Sequence, residues 1–390
     1  MGASEIRELL KVIEAPGVIS FAGGIPDPAL FPQAAVAEAY RHVLTATGPA
    51  ALQYSVSDGD PELKSWVVRH MARLGVPCEP ENILITSGSQ QGLEFLGRLL
   101  ISPGDAALVA APTYLGALQA FSAYEPRYDA LPTAETNRTA TSYGERAPAF
   151  AYVVPEFANP SGETMDAAQR RDLLALARDL GTLVIEDSPY AELRFEGEAP
   201  PALLATDIAE TGHIDRSRVA YCGSFSKIFT PGLRVGWICA RADLIERLVL
   251  VKQASDLNAP RINQLVILRL AETLYAEQVA KARATYRVKR DAMLAALAAH
   301  MPAGARWTRP EGGMFIWLEV DGDFDAKAML PDAVEAGVAY VPGSAFHHDG
   351  AGRNAMRLSY SLPDPATIET GVKRLAALIS ENIGGGRVRA

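Results

Sequence analysis

Cysteine is scarce in this chain. Only Cys78, Cys222 and Cys239 occur among 390 residues, and none forms a C-x-x-C pair. That excludes a disulfide framework and points to buried thiols in a reducing compartment. The six histidines show no metal spacing. The adjacent His347 and His348 lie in a Gly/Asp-rich stretch and read as a solvated loop, so no metal site is expected. Positive charge is in deficit, with 37 Lys plus Arg against 46 Asp plus Glu and a net charge of −9. No basic stripe stands out, so nucleic acid is not an expected partner. Apolar runs long enough to span a membrane, about eighteen residues, are absent. No basic-then-apolar leader is visible at the start. These absences favour a cytoplasmic protein that does not engage membranes.

What is present is core. Hydrophobic residues make up 48% and charged residues 21%, so a large folded interior is feasible, and the length suggests two or three domains. Residues 4–13 read as a short helix, with Ile6, Leu9, Leu10 and Ile13 on one face. A Gly-Pro hinge follows at 19–26. Apolar, β-rich runs recur at 82–86, 106–110, 150–154, 182–186, 218–222 and 235–240, with helical patterns between several of them. Strands apolar throughout and separated by helices predict an α/β fold, a mostly parallel sheet covered by helices on both faces. From Leu244 to about His300 the pattern is helical. The remainder, with β-like runs at 307–320 and 354–360, reads as a smaller α+β domain. The expected division is an N-terminal helix and hinge (1–32), a large α/β domain (33–275) and a small α+β domain (276–390).

Ligands of such sheets sit beyond the carboxyl ends of the strands, and that is where the chemically suggestive residues fall. In Tyr221-Cys222-Gly223-Ser224-Phe225-Ser226-Lys227, a strand ends in hydroxyl residues and one lysine, with Arg234 seven positions on. Ser224, Ser226 and Arg234 can donate to an anion. Lys227 is placed as a lysine must be to form a Schiff base with pyridoxal 5′-phosphate. In Ser87-Gly88-Ser89-Gln90, a hydroxyl residue after glycine can cap a helix and offer free N–H groups to the same anion. Tyr114 follows the next strand, where its ring can lie on a pyridine face. Pro155-Glu156-Phe157-Ala158-Asn159-Pro160-Ser161-Gly162 is a turn by composition, though a turn does not require its upstream Pro and Phe. A buried strand ends at Glu186-Asp187. A carboxylate there would keep a pyridine nitrogen protonated, while Glu186 points to the opposite face and is structural. Arg357 interrupts a β-like run and needs a partner; its planar fork fits a carboxylate, from a salt bridge or from a ligand.

Together the S-x-S-K…R, P-x-F-x-N-P-x-G and D-x-x-Y patterns resemble the fold-type I, pyridoxal-phosphate-dependent aminotransferases of class I/II. The similarity is narrower to the 2-aminoadipate/kynurenine subgroup, and it runs over residues 4–378. The resemblance implies that Lys227, Asp187 and Tyr190 are catalytic. It implies that Ser89, Gln90, Tyr114, Asn159, Ser224, Ser226 and Arg234 bind the cofactor. Arg357, with Gly24 and Asn159, would hold the substrate's α-carboxylate. Tyr54 would reach the phosphate of a neighbouring subunit, which implies a homodimer with shared sites. Arg7, in an S-x-I-R-E-L-L helix, could meet a distal carboxylate or simply be a surface arginine. The expected substrates are small molecules: an amino acid donor (2-aminoadipate, aromatic or aliphatic) and a 2-oxo acid, 2-oxoglutarate foremost. A β-lyase or decarboxylase would use the same cofactor residues. A regulator's effector domain is a further alternative.

Overall fold

Val/Ile/Leu-rich runs of four to six residues bury their apolar faces only by pairing. The computed structural model describes residues 17–131 and 147–384. Its strands are β1 (Ile19–Ser20), β2 (Ile83–Thr86), β3 (Ala106–Val109), β4 (Arg127–Ala130), β5 (Phe150–Val153), β6 (Leu183–Asp187), β7 (Val219–Ser224), β8 (Gly236–Cys239), β9 (Ala305–Trp307), β10 (Phe315–Val320), β11 (Val338–Ala339), β12 (Val341–Pro342) and β13 (Ala355–Ser359). Seven form one sheet in the order β2-β8-β7-β6-β5-β3-β4. Its pairings are parallel from β4 through β7, and β8 runs antiparallel to both β2 and β7. The expected mostly parallel sheet is therefore present. All residues of β2, β3 and β5 are buried, which is why those runs carry no polar alternation. β4 is a half-exposed edge, Arg-Tyr-Asp-Ala, and no apolar run announces it.

A second, antiparallel sheet has the order β12-β13-β10-β9. The N-terminal hinge belongs to this region. β1 pairs in parallel with β11, Ile19 opposite Val338, and the Ser359 N–H donates to the Phe21 carbonyl at 2.7 Å. The stretch expected to be helical from Leu244 to His300 is broken. Helix Ala242–Gln253 stops, and a second helix runs from Arg261 to His300. Pro260 at its N-cap, preceded by Leu257 at φ +63°, makes the break. The second helix, roughly 60 Å long at 1.5 Å per residue, packs on the helix Pro365–Gly384 and on Gln33–Ala46. The division expected at 275/276 lies inside it. Among the described residues no helix is long and apolar enough to cross a membrane.

Register sets the site. Asp187, the last residue of β6, pairs with Cys222 of β7, two residues before that strand ends at Ser224. Asn159 follows β5. All three lie at the carboxyl ends of central strands, where Arg357 of β13 in the second sheet reaches Asn159.

Candidate active site

At the end of β7 the chain turns sharply, with the Ser226 N–H donating to Ser224 Oγ at 3.2 Å. Ser226 is buried by this turn. The turn aims Lys227 across the cleft, where its Nζ donates to the Gly24 carbonyl at 3.1 Å and lies 5.6 Å from the centre of the Tyr190 ring. Desolvation, then the charges of Arg357 and Arg234, lower the Lys227 pKa to about 8, against a smaller opposing pull from Asp187.

Beside it is an anion cradle. Helix Ser89–Leu100 starts directly after β2. The sequence predicts that the Ser89 hydroxyl caps it. Instead Gly88 occupies the N-cap position with no side-chain cap. The Gln91 N–H donates to the Gly88 carbonyl at 3.1 Å, and the Ser89 and Gln90 N–H groups at the helix start are the ones placed to meet an anion. Gly88 sits at φ +87°, and a Cβ there would lie 2.4 Å from Arg234 Nη2. The guanidinium thus rests on the bare glycine and donates to the Ser87 carbonyl at 3.2 Å. Behind the turn, Gln91 accepts from the Ser87 N–H at 2.8 Å and donates to Asp256 at 2.8 Å. Asp256 in turn pairs with the fully buried Lys252 at 2.9 Å. Gln90 donates to the Gly116 carbonyl at 2.7 Å and accepts from the Tyr114 hydroxyl at 3.3 Å, so Tyr114 and the helix start are tied together.

On the other side of Lys227, Asp187 is 2% exposed. Its Oδ2 accepts from the Tyr152 hydroxyl at 2.8 Å, and its Oδ1 has no partner. Burial pushes its pKa up to about 7, opposed by the Tyr152 hydrogen bond and the Lys227 charge. Glu186 does point the other way. Its two oxygens accept from the Leu203 and Leu204 N–H groups at 2.8 and 2.9 Å, capping the helix Leu203–Thr211.

Arg357 reaches in from β13. It donates to Asn159 Oδ1 at 2.8 Å and to the Ala22 carbonyl at 2.5 Å. Its guanidinium lies between Phe315 and Phe346, 4.5 and 5.0 Å from their ring centres, and its buried Nε has no partner. Burial lowers its pKa to about 10. Desolvation holds the pKa of the buried Tyr190 above its usual value, partly offset by the charge of Arg357 and, less, by a hydrogen bond with Asn159.

Lys227, Asp187, Tyr190, Asn159, Arg357, Gly24, Tyr114 and Gln90 thus share one cleft, with Ser89, Ser224, Ser226 and Arg234 at its anion end. Tyr54 stands on the surface, 77% exposed. Arg7 and the helix expected around it lie outside the described residues. Sequence reasoning missed Tyr152, Gln91 and the two phenylalanines flanking Arg357. A Y-x-x-P lead into the Asn159 turn was the only available signal for Tyr152.

The buried Asp187 Oδ1 calls for a donor, and a protonated pyridine nitrogen would supply it. The helix start beside Arg234 suits a phosphate, and a lysine of lowered pKa suits a carbonyl. These residues fit pyridoxal 5′-phosphate, and with the sheet order they define a fold-type I enzyme dependent on that cofactor. Comparison with known proteins narrows the class. The chain belongs to the family "aminotransferase class I and II", which it matches over residues 16–375. It is 40% identical over 394 residues to aromatic-amino-acid aminotransferase 1 of Thermococcus litoralis, covering 98% of this chain and 93% of that one. It is 40% identical over 377 residues to the 2-aminoadipate transaminase of Thermus thermophilus, covering 96% and 93%. Among solved structures it resembles the α-aminoadipate aminotransferase LysN of Thermus thermophilus, complexed with N-(5′-phosphopyridoxyl)-L-leucine. That likeness has a TM-score of 0.88 and 38% identity, and covers 98% of this chain and 96% of that one. The protein is a pyridoxal-phosphate-dependent aminotransferase.

Proposed function

We propose that this enzyme moves the amino group of 2-aminoadipate, aromatic and aliphatic L-α-amino acids to a 2-oxo acid, chiefly 2-oxoglutarate. The observation that carries the reading is Arg357. It is a buried guanidinium between two aromatic rings with an unpartnered Nε, in the same cleft as a lysine of lowered pKa. A planar fork so placed binds a carboxylate strongly and fixes its orientation. The relatives named for aminoadipate and for aromatic amino acids support the breadth of donors.

The residue roles follow. Arg357 and the Gly24 backbone hold the α-carboxylate, which fixes the Cα–H bond relative to Lys227. With a pKa of about 8, a good fraction of Lys227 is neutral near that pH. Its Nζ, held across the cleft from Arg357, would act as the base that takes the proton from Cα and as the acid that gives it back. When bound, pyridoxal phosphate supplies the electron sink for the charge developing at Cα. Asp187 holds a proton at the ring nitrogen. Asn159 and Tyr190 donate to the phenolic oxygen, and Tyr114 covers the ring. Ser89, Gln90, Ser224, Ser226 and Arg234 fix the phosphate, and the phenyl rings around Arg357 exclude water. Tyr54 reaches the phosphate of a second subunit, so the working unit is a homodimer. Each subunit comprises a hinge segment (1–32), a large domain (33–275) and a small domain (276–390). Its three free thiols suit the reducing cytoplasm. Arg7 meets the distal carboxylate of acidic donors.

A donor screen with 2-oxoglutarate tests the substrate reading, and borohydride reduction with peptide mapping tests Lys227. We expect turnover of 2-aminoadipate and of aromatic donors, with the cofactor's mass on Lys227. Repeating the screen with Arg7→Ala should raise KM for acidic donors only. A label on another lysine, or no turnover of either donor class, would refute the assignment.

A further inference from the structure

We propose that Tyr152 is a positioning residue for amino transfer, its hydroxyl holding Asp187 charged and turning one carboxylate oxygen toward the cofactor's ring nitrogen. This rests on the reading that Asp187 partners that nitrogen. Tyr152 lies on β5, fully buried, with its ring edge-on to Phe121 at 5.6 Å. Its hydroxyl donates to Asp187 Oδ2 at 2.8 Å, while Oδ1 of the same carboxylate has no partner. The two oxygens are thereby distinguished. One is fixed to the protein and the other is left for a ligand donor.

The charge balance around Asp187 shows why such a donor is needed. Tyr152 faces it from β5, Cys222 from β7, Tyr114 from the segment after β3, and Lys227 from the turn after β7. Tyr190 follows it and Glu186 precedes it. Among the described residues, Lys227 is the only cation whose attraction lowers its pKa, and that amine is itself partly neutral. A buried carboxylate so placed stays ionised only with help from hydrogen bonds to its charged form. Tyr152 gives that help without competing for the proton. Burial, then the Asp187 charge, hold its own pKa well above the usual phenol value, so it remains an O–H donor throughout the working range. Tyr114 and Tyr190 are engaged elsewhere, with Gln90 and with Asn159.

The test compares native protein, Tyr152→Phe and Asp187→Asn, each stripped of cofactor and titrated with two cofactors. One is pyridoxal 5′-phosphate. The other is its 1-deaza analogue, in which C–H replaces the ring nitrogen. Tyr152→Phe should raise Kd for pyridoxal phosphate about tenfold, the size expected for one hydrogen bond to a charged group. It should also lower kcat with the donor KM unchanged. With the deaza analogue, native and variant Kd values should agree within about twofold, because the atom served by Asp187 is gone. An equal loss with both cofactors would show that the hydroxyl only packs the core, and no loss with either would show that it does nothing. Asp187→Asn separates the two levels of argument. If its loss is also independent of the nitrogen, the Asp187 assignment itself fails. If its loss needs the nitrogen while Tyr152→Phe behaves as native, only the role of Tyr152 fails.

Discussion

A single carboxylate shows how the site is built against its own stability. Asp187 ends a strand that is apolar before Glu186, and burial pushes its pKa from 3.8 to about 7. Between those two values the folded, cofactor-free protein keeps a proton that the unfolded chain has released. Stability therefore falls as pH rises across that window, by at most about 4 kcal/mol from this group. Glu186, pushed up to about 8 by burial and by Glu156, acts in the same direction. Lys227, lowered to about 8, acts oppositely and only above that pH. Urea midpoints of the cofactor-free protein should thus drop between pH 5 and pH 8, and Asp187→Asn should flatten the drop. Parallel curves for native and variant would show that Asp187 is not the group that titrates. Lys227, Asp187 and Arg357 were legible in the sequence because charged residues in apolar strands stand out against their neighbours. Tyr152 was not, because a tyrosine in such a strand looks like core whether or not its hydroxyl has work to do.

Among elements, the turn between β2 and the helix Ser89–Leu100 couples local conformation to ligand recognition most directly. Gly88 is needed twice, for its φ of +87° and for the space in which Arg234 lies. An alanine there strains the backbone by roughly 1–3 kcal/mol and pushes the guanidinium off the phosphate end. Gly88→Ala should weaken pyridoxal 5′-phosphate binding about tenfold or more on that scale, yet leave the binding of pyridoxal, which has no phosphate, almost unchanged. Equal losses for both ligands would mean that the turn does not read the phosphate. The turn itself was readable from Ser-Gly-Ser after an apolar run. The Gln91, Lys252 and Asp256 support behind it was not, since Lys252 lies 161 residues from Gln91. Nor was the parallel pairing of β1 with β11, which lie more than 300 residues apart. Periodicity reports which face an element buries and says nothing about its partner. The break before Arg261 was legible in principle from Asn-Ala-Pro, but the helical pattern on either side masked it.

At the scale of the molecule, the surface around Tyr54 is the feature that one chain leaves unexplained. Leu52, Tyr54 and Val56 are 68%, 77% and 53% exposed, three large side chains within five residues. Clustered exposed apolar residues of this kind mark contact surfaces. The proposed homodimer would cover them, and in a two-fold assembly each subunit's Tyr54 would serve its partner's cleft. The sharing can be tested by complementation. Lys227→Ala subunits retain Tyr54, and Tyr54→Ala subunits retain Lys227. If Tyr54 acts across the interface, a hybrid dimer has one cleft with both residues native and another lacking both. Unfolding and refolding the two inactive or weakened proteins together should then restore cofactor affinity and turnover in the mixture, with native KM. If Tyr54 acts within its own chain, no cleft in the hybrid carries both residues, and mixing gives no gain over the separate proteins. A fully active monomer in dilute solution, measured by sedimentation alongside turnover, would rule out the shared site altogether.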